Sequence, residues 1–211
     1  MNIRQISDYF IKAFPAANLN EQQLSLTLYQ QLALGKPVEI EQLQTMSQLT
    51  KQQIKHLLHT WPGVFFDDNN NVNGFWGMTT EKMPHQLNIN ENIIYTWCAW
   101  DTLFIPGLIN ITVNVISTCP VTARRIELTV SPSQAYPINN QPVFLSFVNP
   151  DEGRLNDDVI ASFCHFVHYF DSRSVAEQWT DEHPDTFLLT LDDAFMVAKQ
   201  VNAARYHLAL H

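Results

Sequence analysis

The chain has 211 residues, 45% hydrophobic and 16% charged, which is room for one large or two small packed domains and unlike a disordered segment. A net charge of −9, from 21 acidic against 12 basic residues, argues against a general nucleic-acid binder, which needs basic surface to neutralise phosphate. The three cysteines match no secreted disulfide framework or zinc ribbon, no apolar run suffices to span a membrane, and the start lacks the apolar core of a signal peptide. A cytoplasmic protein with reduced thiols and no membrane partner is expected.

Residues 1–83 read as a winged helix-turn-helix-like helical module. Leu24, Leu28 and Leu32, with Tyr29, recur at helical spacing, and Gly35-Lys36-Pro37 closes that helix. A short helix near 40–47 follows, with Leu43 and Met46 inward. Thr50 is the expected N-cap of the next helix, whose apolar face is Ile54, Leu57 and Leu58, and Trp61-Pro62-Gly63 stops it. Residues 64–66, a polar turn at 67–71 and residues 72–78 read as a two-stranded wing. Such a module suggests a DNA reader, but residues 1–90 carry six basic and seven acidic side chains. The candidate recognition helix offers only Lys51 and Lys55, with His56 and His59. A packing module with no nucleic-acid partner is the better reading, since fold alone does not imply function.

Met83-Pro84-His85 marks a boundary, and residues 84–211 read as an α+β domain with small antiparallel sheets, giving the chain an α+β class overall. In Tyr95-Thr96-Trp97-Cys98-Ala99-Trp100-Asp101 a thiol and a carboxyl stand three positions apart in an aromatic setting. A helix there would put Cys98 and Asp101 on one face, and Pro106-Gly107 would break it. Residues 111–115 alternate as a strand leading to Ser117-Thr118-Cys119-Pro120, and 125–130 alternate again, giving a hairpin. Residues 143–148 form another strand. Asp157 and Asp158 cap the approach to Val159-Ile160-Ala161-Ser162-Phe163-Cys164, and helices at 175–179 and 191–205 complete the unit.

Burial favours the protonated form of a carboxyl such as Asp101. The thiol of Cys98 becomes a nucleophile or a soft-metal ligand once deprotonated. The bland alternative is a buried structural cysteine followed by a capping aspartate. Cys164, His165 and His168 also permit a zinc reading, for which no fourth ligand is evident; packed or surface histidines explain the pattern as well.

Three blocks taken together are more specific. The run from Tyr95 to Pro106, then Cys119-Pro120-Val121-Thr122, then Ser162-Phe163-Cys164 resembles the alkylmercury lyases (organomercurial lyases) of bacterial mercury resistance. Glu177-Gln178-Trp179 through His183, Asp193-Ala194-Phe195 and the N-terminal module fit the same pattern, so the resemblance covers nearly the whole chain. It implies catalytic thiols at Cys98 and Cys164, a proton-handling acid at Asp101, a structural Cys119 and an aromatic substrate contact at Trp97. Two positions depart from the pattern. His165 stands where some members carry a second cysteine, and Ala123 stands where glycine is common after Cys-x-x-Thr.

The implied reaction is protonolysis of a carbon–mercury bond. Thiolates, the softest protein ligands, hold the metal while a carboxyl protonates the carbon. No resident cofactor is implied: mercury arrives in the organomercurial and Hg(II), held by Cys98 and Cys164, leaves to cellular thiols or a mercuric reductase. Two rival readings are a thiol-based mercury or redox sensor acting through the winged helix, and a homologue that binds soft metal without turnover.

Overall fold

The fold comes from a computed structural model that describes residues 2–13, 17–149 and 163–210. Four helices open the chain: α1 (Ile3–Ala13), α2 (Leu19–Leu32), α3 (Ile40–Met46) and α4 (Lys51–Thr60). α2 starts with a capping box in which the Asn18 side chain accepts the Glu21 N–H and the Glu21 carboxylate accepts the Asn18 N–H. Thr50 and Gln53 make the same reciprocal pair at α4, the expected cap. Leu24, Leu28, Tyr29, Leu32, Leu43 and Ile54 are wholly buried. Met46 is not inward but 48% exposed, because the chain leaves α3 in an extended conformation at Ser47 and no further turn covers it. Lys51, offered above for DNA contact, pairs with Glu41. The first helix had no place in the reading above; its Ile6 and Phe10, four apart on one face, are buried against the rest of the core.

Strands β1 (Val64–Phe66), β2 (Val72–Phe75), β3 (Met78–Thr79), β4 (His85–Ile89), β5 (Asn92–Thr96), β6 (Val113–Thr118), β7 (Arg125–Val130) and β8 (Ala135–Pro137) form one sheet. Its order is β1-β2-β3-β5-β4-β6-β7-β8, antiparallel throughout. The sheet is larger than expected because the hairpin read as a wing continues through Met78↔Thr96 and Thr79↔Tyr95 into the strands beyond. A second sheet has the order β10-β9-β11, with β9 (Phe144–Val148) between β10 (Tyr169–Phe170) and β11 (Thr186–Thr190). Helices α5 (Asp101–Ile109), α6 (Arg173–Asp181) and α7 (Leu191–Arg205) complete a mixed α/β fold with antiparallel sheets. α1 packs along α7, and α5 contacts both α2 and α7.

Two local expectations fail. Cys98 lies in the turn between β5 and α5, not in a helix, and Asp101 is the first helical residue. Pro106-Gly107 does not break the chain: α5 runs through Pro106 and ends at Asn110, whose φ of 55° and ψ of 42° are left-handed. Proline removes one helical N–H, a cost that burial of nearly every α5 side chain offsets. Asp157, Asp158 and residues 159–162 lie outside the described residues. No helix among the described residues is long and apolar enough to cross a membrane.

Candidate active site

Pairing of β3 with β5 ends at Thr96, and the chain then turns sharply through 97–100 before α5 begins. That turn is tied down at every step. The Trp97 N–H donates to the Gly77 carbonyl (3.0 Å), the Thr96 hydroxyl to the Cys98 carbonyl (3.0 Å), and the Thr102 hydroxyl to the Ala99 carbonyl (2.8 Å). Cys164 opens a turn of 3-10 helix, Cys164–Phe166, on the neighbouring segment. Two bonds lock the segments together: the Ala99 N–H donates to the Val167 carbonyl (3.1 Å), and the Thr102 and Tyr169 hydroxyls share a 2.7 Å hydrogen bond. Residues far apart in sequence are thereby fixed side by side.

Cys98, Asp101 and Cys164 converge. Their ligating atoms all lie within 4.8 Å of one another, all three residues are buried, and both cysteines are free thiols. Among the described residues this is the one grouping of three that could hold a metal ion, so Cys119 is outside it. The zinc reading loses its geometry: His165 is exposed, and the His168 ring packs edge-on against Trp179 at 5.4 Å.

The Cys98 N–H donates to Asp101 Oδ2 at 2.8 Å, so the carboxyl holds the turn before α5; it does not cap the helix, whose N-cap is Trp100. Burial pushes the Asp101 carboxyl up to about 7, outweighing the N–H and thiol of Cys98 and the Trp97 N–H, which pull it down. Burial also raises the Cys98 thiol well above its ordinary value, aided by the hydrogen bond to Cys164 and by the negative charge of Asp101. The resting thiol is therefore protonated, with a base of near-neutral pKa beside it.

Gly77 abuts the carboxyl. A Cβ at Gly77 would lie 2.5 Å from Asp101 Cγ, and φ is +91°, so only glycine fits. Tyr29 of α2 donates its hydroxyl to the carbonyl of the adjacent Trp76 (2.9 Å), which connects the helical half directly to the site wall. Beside Cys164 stands an aromatic cluster. Phe10 of α1 packs against Trp100 (4.9 Å), Phe163 (5.2 Å) and Phe147 (5.5 Å) between ring centroids. A partly open cavity of about 30 Å³ is bounded by Trp97, Trp100, Asp101 and Cys164, with Phe10 and Gly77 among its other walls.

Of the residues singled out in the sequence, Trp97, Asp101 and Cys164 line this cavity and Cys98 lies beside the last two; Phe10, Trp76, Gly77, Phe163 and Arg205, which were given no role there, line it too. The Trp76-Gly77 dipeptide was the one local signal available, since glycine in a strand pattern marks close backbone approach. Ala123 has φ +57°, a left-handed conformation that explains why glycine is common there. His165, the other departure, lines neither this cavity nor the larger one described below.

A family model described as alkylmercury lyase matches residues 78–202, more than half of the chain. The alkylmercury lyase of Pseudomonas putida is 37% identical over 172 residues, which cover 82% of this chain and 79% of that protein. That of Staphylococcus epidermidis is 34% identical over 176 residues, covering 83% and 80%. The crystal structure of the mercury-bound form of MerB2 superposes with a TM-score of 0.70 over 96% of this chain and 98% of that one; at 17% identity this likeness speaks for the fold alone. With the sequence match spanning the site and the two thiols and carboxyl meeting inside it, the chain belongs to the alkylmercury lyases, enzymes that cleave the carbon–mercury bond.

Proposed function

We propose that Cys98 and Cys164 take the mercury of an organomercurial, R–Hg–X, and that Asp101 carries the proton that releases R as hydrocarbon. The observation supporting this assignment is the meeting of two free thiols and a carboxyl within 4.8 Å in an apolar, buried setting. Thiolates match a soft metal, and a carboxyl titrating near 7 can both accept and return a proton at neutral pH. Asp101 takes the proton of Cys98, whose thiolate attacks mercury, and X departs as HX. Cys164 then binds, its proton passes to Asp101, and Asp101 delivers it to the carbon. Two thiol protons are consumed, one by X and one by carbon, and mercury stays Hg(II) throughout, ending on two thiolates.

Trp97, in the cavity wall and braced edge-on by Phe65 at 5.1 Å, is assigned to substrate contact. Cellular thiols or a mercuric reductase receive the Hg(II), which suits a reducing, cytoplasmic setting. Residues 1–83 are read as a winged-helix-like module used for packing ahead of the catalytic unit 84–211. The packing of α1 along α7 and of α2 on α5, and the place of Phe10 in the wall of the cavity at Cys164, support that use.

Cys119 is assigned a structural role. It is fully buried at the end of β6, where its N–H donates to the Arg124 carbonyl (2.9 Å) and its carbonyl accepts from Ala123 (3.0 Å). Cys119→Ser buries a hydroxyl and is expected to cost about 1–3 kcal/mol in denaturant unfolding while cleavage continues. A fully folded Cys119→Ser enzyme without activity would contradict the assignment.

The decisive experiment is incubation with phenylmercury and detection of benzene. Benzene release carries the lyase reading; tight mercury uptake without benzene would favour a soft-metal binder instead.

A further inference from the structure

The cavity at Cys164 and Asp101 holds about 30 Å³, enough for a water molecule or two and far short of the roughly 150 Å³ of an apolar cavity that takes up benzene. A second cavity of about 230 Å³ lies next to it, with aromatic walls from Trp61, Phe75, Trp76 and Tyr206, with Ile11 and Ala204 among its other apolar residues, and with Glu21, Gln22, Ser25 and His207 as polar ones. Trp76 and Arg205 line both spaces. The Arg205 guanidinium lies 5.1 Å from the Trp76 ring centroid and 5.7 Å from that of Tyr206, so a cation–aromatic stack forms part of the boundary between them.

The direction of the substrate follows from the acid. Asp101 must reach the carbon bound to mercury, and its carboxyl lies against the Trp76–Gly77 turn. No organic group fits between the carboxyl and Gly77, but the Trp76 side chain lines both the cavity that holds Asp101 and the larger one, so a group on the carbon beside the acid has the larger space next to it across the Trp76–Arg205 stack. We propose that this outer cavity is the subsite for the organic group of bulky organomercurials, flat aryl groups above all, with the Trp76–Arg205 stack as the partition they displace. The Trp76 backbone is held independently of its ring: its N–H donates to the Gly63 carbonyl and its carbonyl accepts from Tyr29, both at 2.9 Å. Gly77 thus keeps its seat on Asp101 through bonds that do not involve the indole. Aromatic walls favour a flat aryl face by stacking and by burial of apolar area.

This inference rests on the lyase reading and is tested beside it. Hydrocarbon release from methyl-, phenyl- and 1-naphthylmercury is measured as kcat/KM for the wild type, Ala204→Phe and Trp76→Phe. Phenylalanine at 204 fills the outer cavity, and the phenyl-to-methyl ratio is expected to fall about tenfold. The smaller ring at 76 widens the passage, and the naphthyl-to-phenyl ratio is expected to rise about tenfold. Either variant alone decides if the other fails to fold. Wild-type turnover with both ratios unchanged, or an equal loss for all three substrates, overturns the subsite alone. A wild type that releases no hydrocarbon from any of them overturns the lyase reading and the subsite with it.

Discussion

Asp101→Asn is expected to separate mercury capture from bond cleavage. The amide keeps the size of the carboxyl and can still accept the Cys98 N–H, but it has no proton to exchange at neutral pH. The variant should retain methylmercury on its thiols, seen as an adduct by mass spectrometry. Methane release should fall by about 10²–10⁴, the range attributed to a positioned general acid. In deuterated water the wild type should release methane carrying one deuteron. Methane at near the wild-type rate from Asp101→Asn would assign the proton to a thiol or to water.

The same substitution carries a stability signature whose sign is fixed by the buried carboxyl. Asp101 titrates near 7 when folded, against an ordinary value of 3.8, so the folded chain holds a proton there that the unfolded chain releases. Its contribution to stability is fully present below about pH 4 and is lost as pH rises through about 7. The cost of ionising it in place is on the order of 4 kcal/mol. Asp101→Asn escapes that cost. It should be more stable than the wild type at pH 8, with the advantage vanishing near pH 4, in urea unfolding at the two pH values. An advantage independent of pH would mean that the carboxyl is not held near neutrality.

Cys98→Ser and Cys164→Ser are each expected to abolish hydrocarbon release while the fold persists. Serine is nearly isosteric, and the neighbouring thiol and carboxyl offer a buried hydroxyl hydrogen-bond partners at either position. Its oxygen is a hard, weakly acidic ligand that does not hold mercury against thiols. Each variant leaves one thiol, which is sufficient to retain an organomercurial as a single adduct but does not give the two-thiolate product. Circular dichroism matching the wild type, together with loss of benzene from phenylmercury, is the expected pair of results. Substantial turnover by either variant would remove that cysteine from the mechanism.

Much of this molecule was legible in the chain itself. Local chemistry set the helix starts: Thr50 with Gln53 forms a capping box because the hydroxyl and amide lie within four residues of each other. Alternation set β6 and β7, because period two is what a half-buried strand requires. The spacing of Cys98 and Asp101 brought thiol and acid together, although through a turn closed by the Cys98 N–H on the carboxyl rather than a shared helical face. The short strands β3, β10 and β8 left no periodicity to read. The continuation of the wing into the large sheet depends on pairings such as Met78 with Thr96, which no local pattern encodes.

The enclosure of the site is likewise a tertiary matter. Phe10, Gly77 and Arg205 stand far from the cysteines in sequence and reach them only because α1 packs on α7 and the β2–β3 turn meets Asp101. The sequence by itself determined which groups are available for the chemistry, since thiol, carboxyl and indole are properties of residue type. Only the tertiary structure decided how near those groups stand and how dry their surroundings are. Those two quantities set the proton affinity of Asp101, because desolvation acts on a carboxyl through everything packed around it.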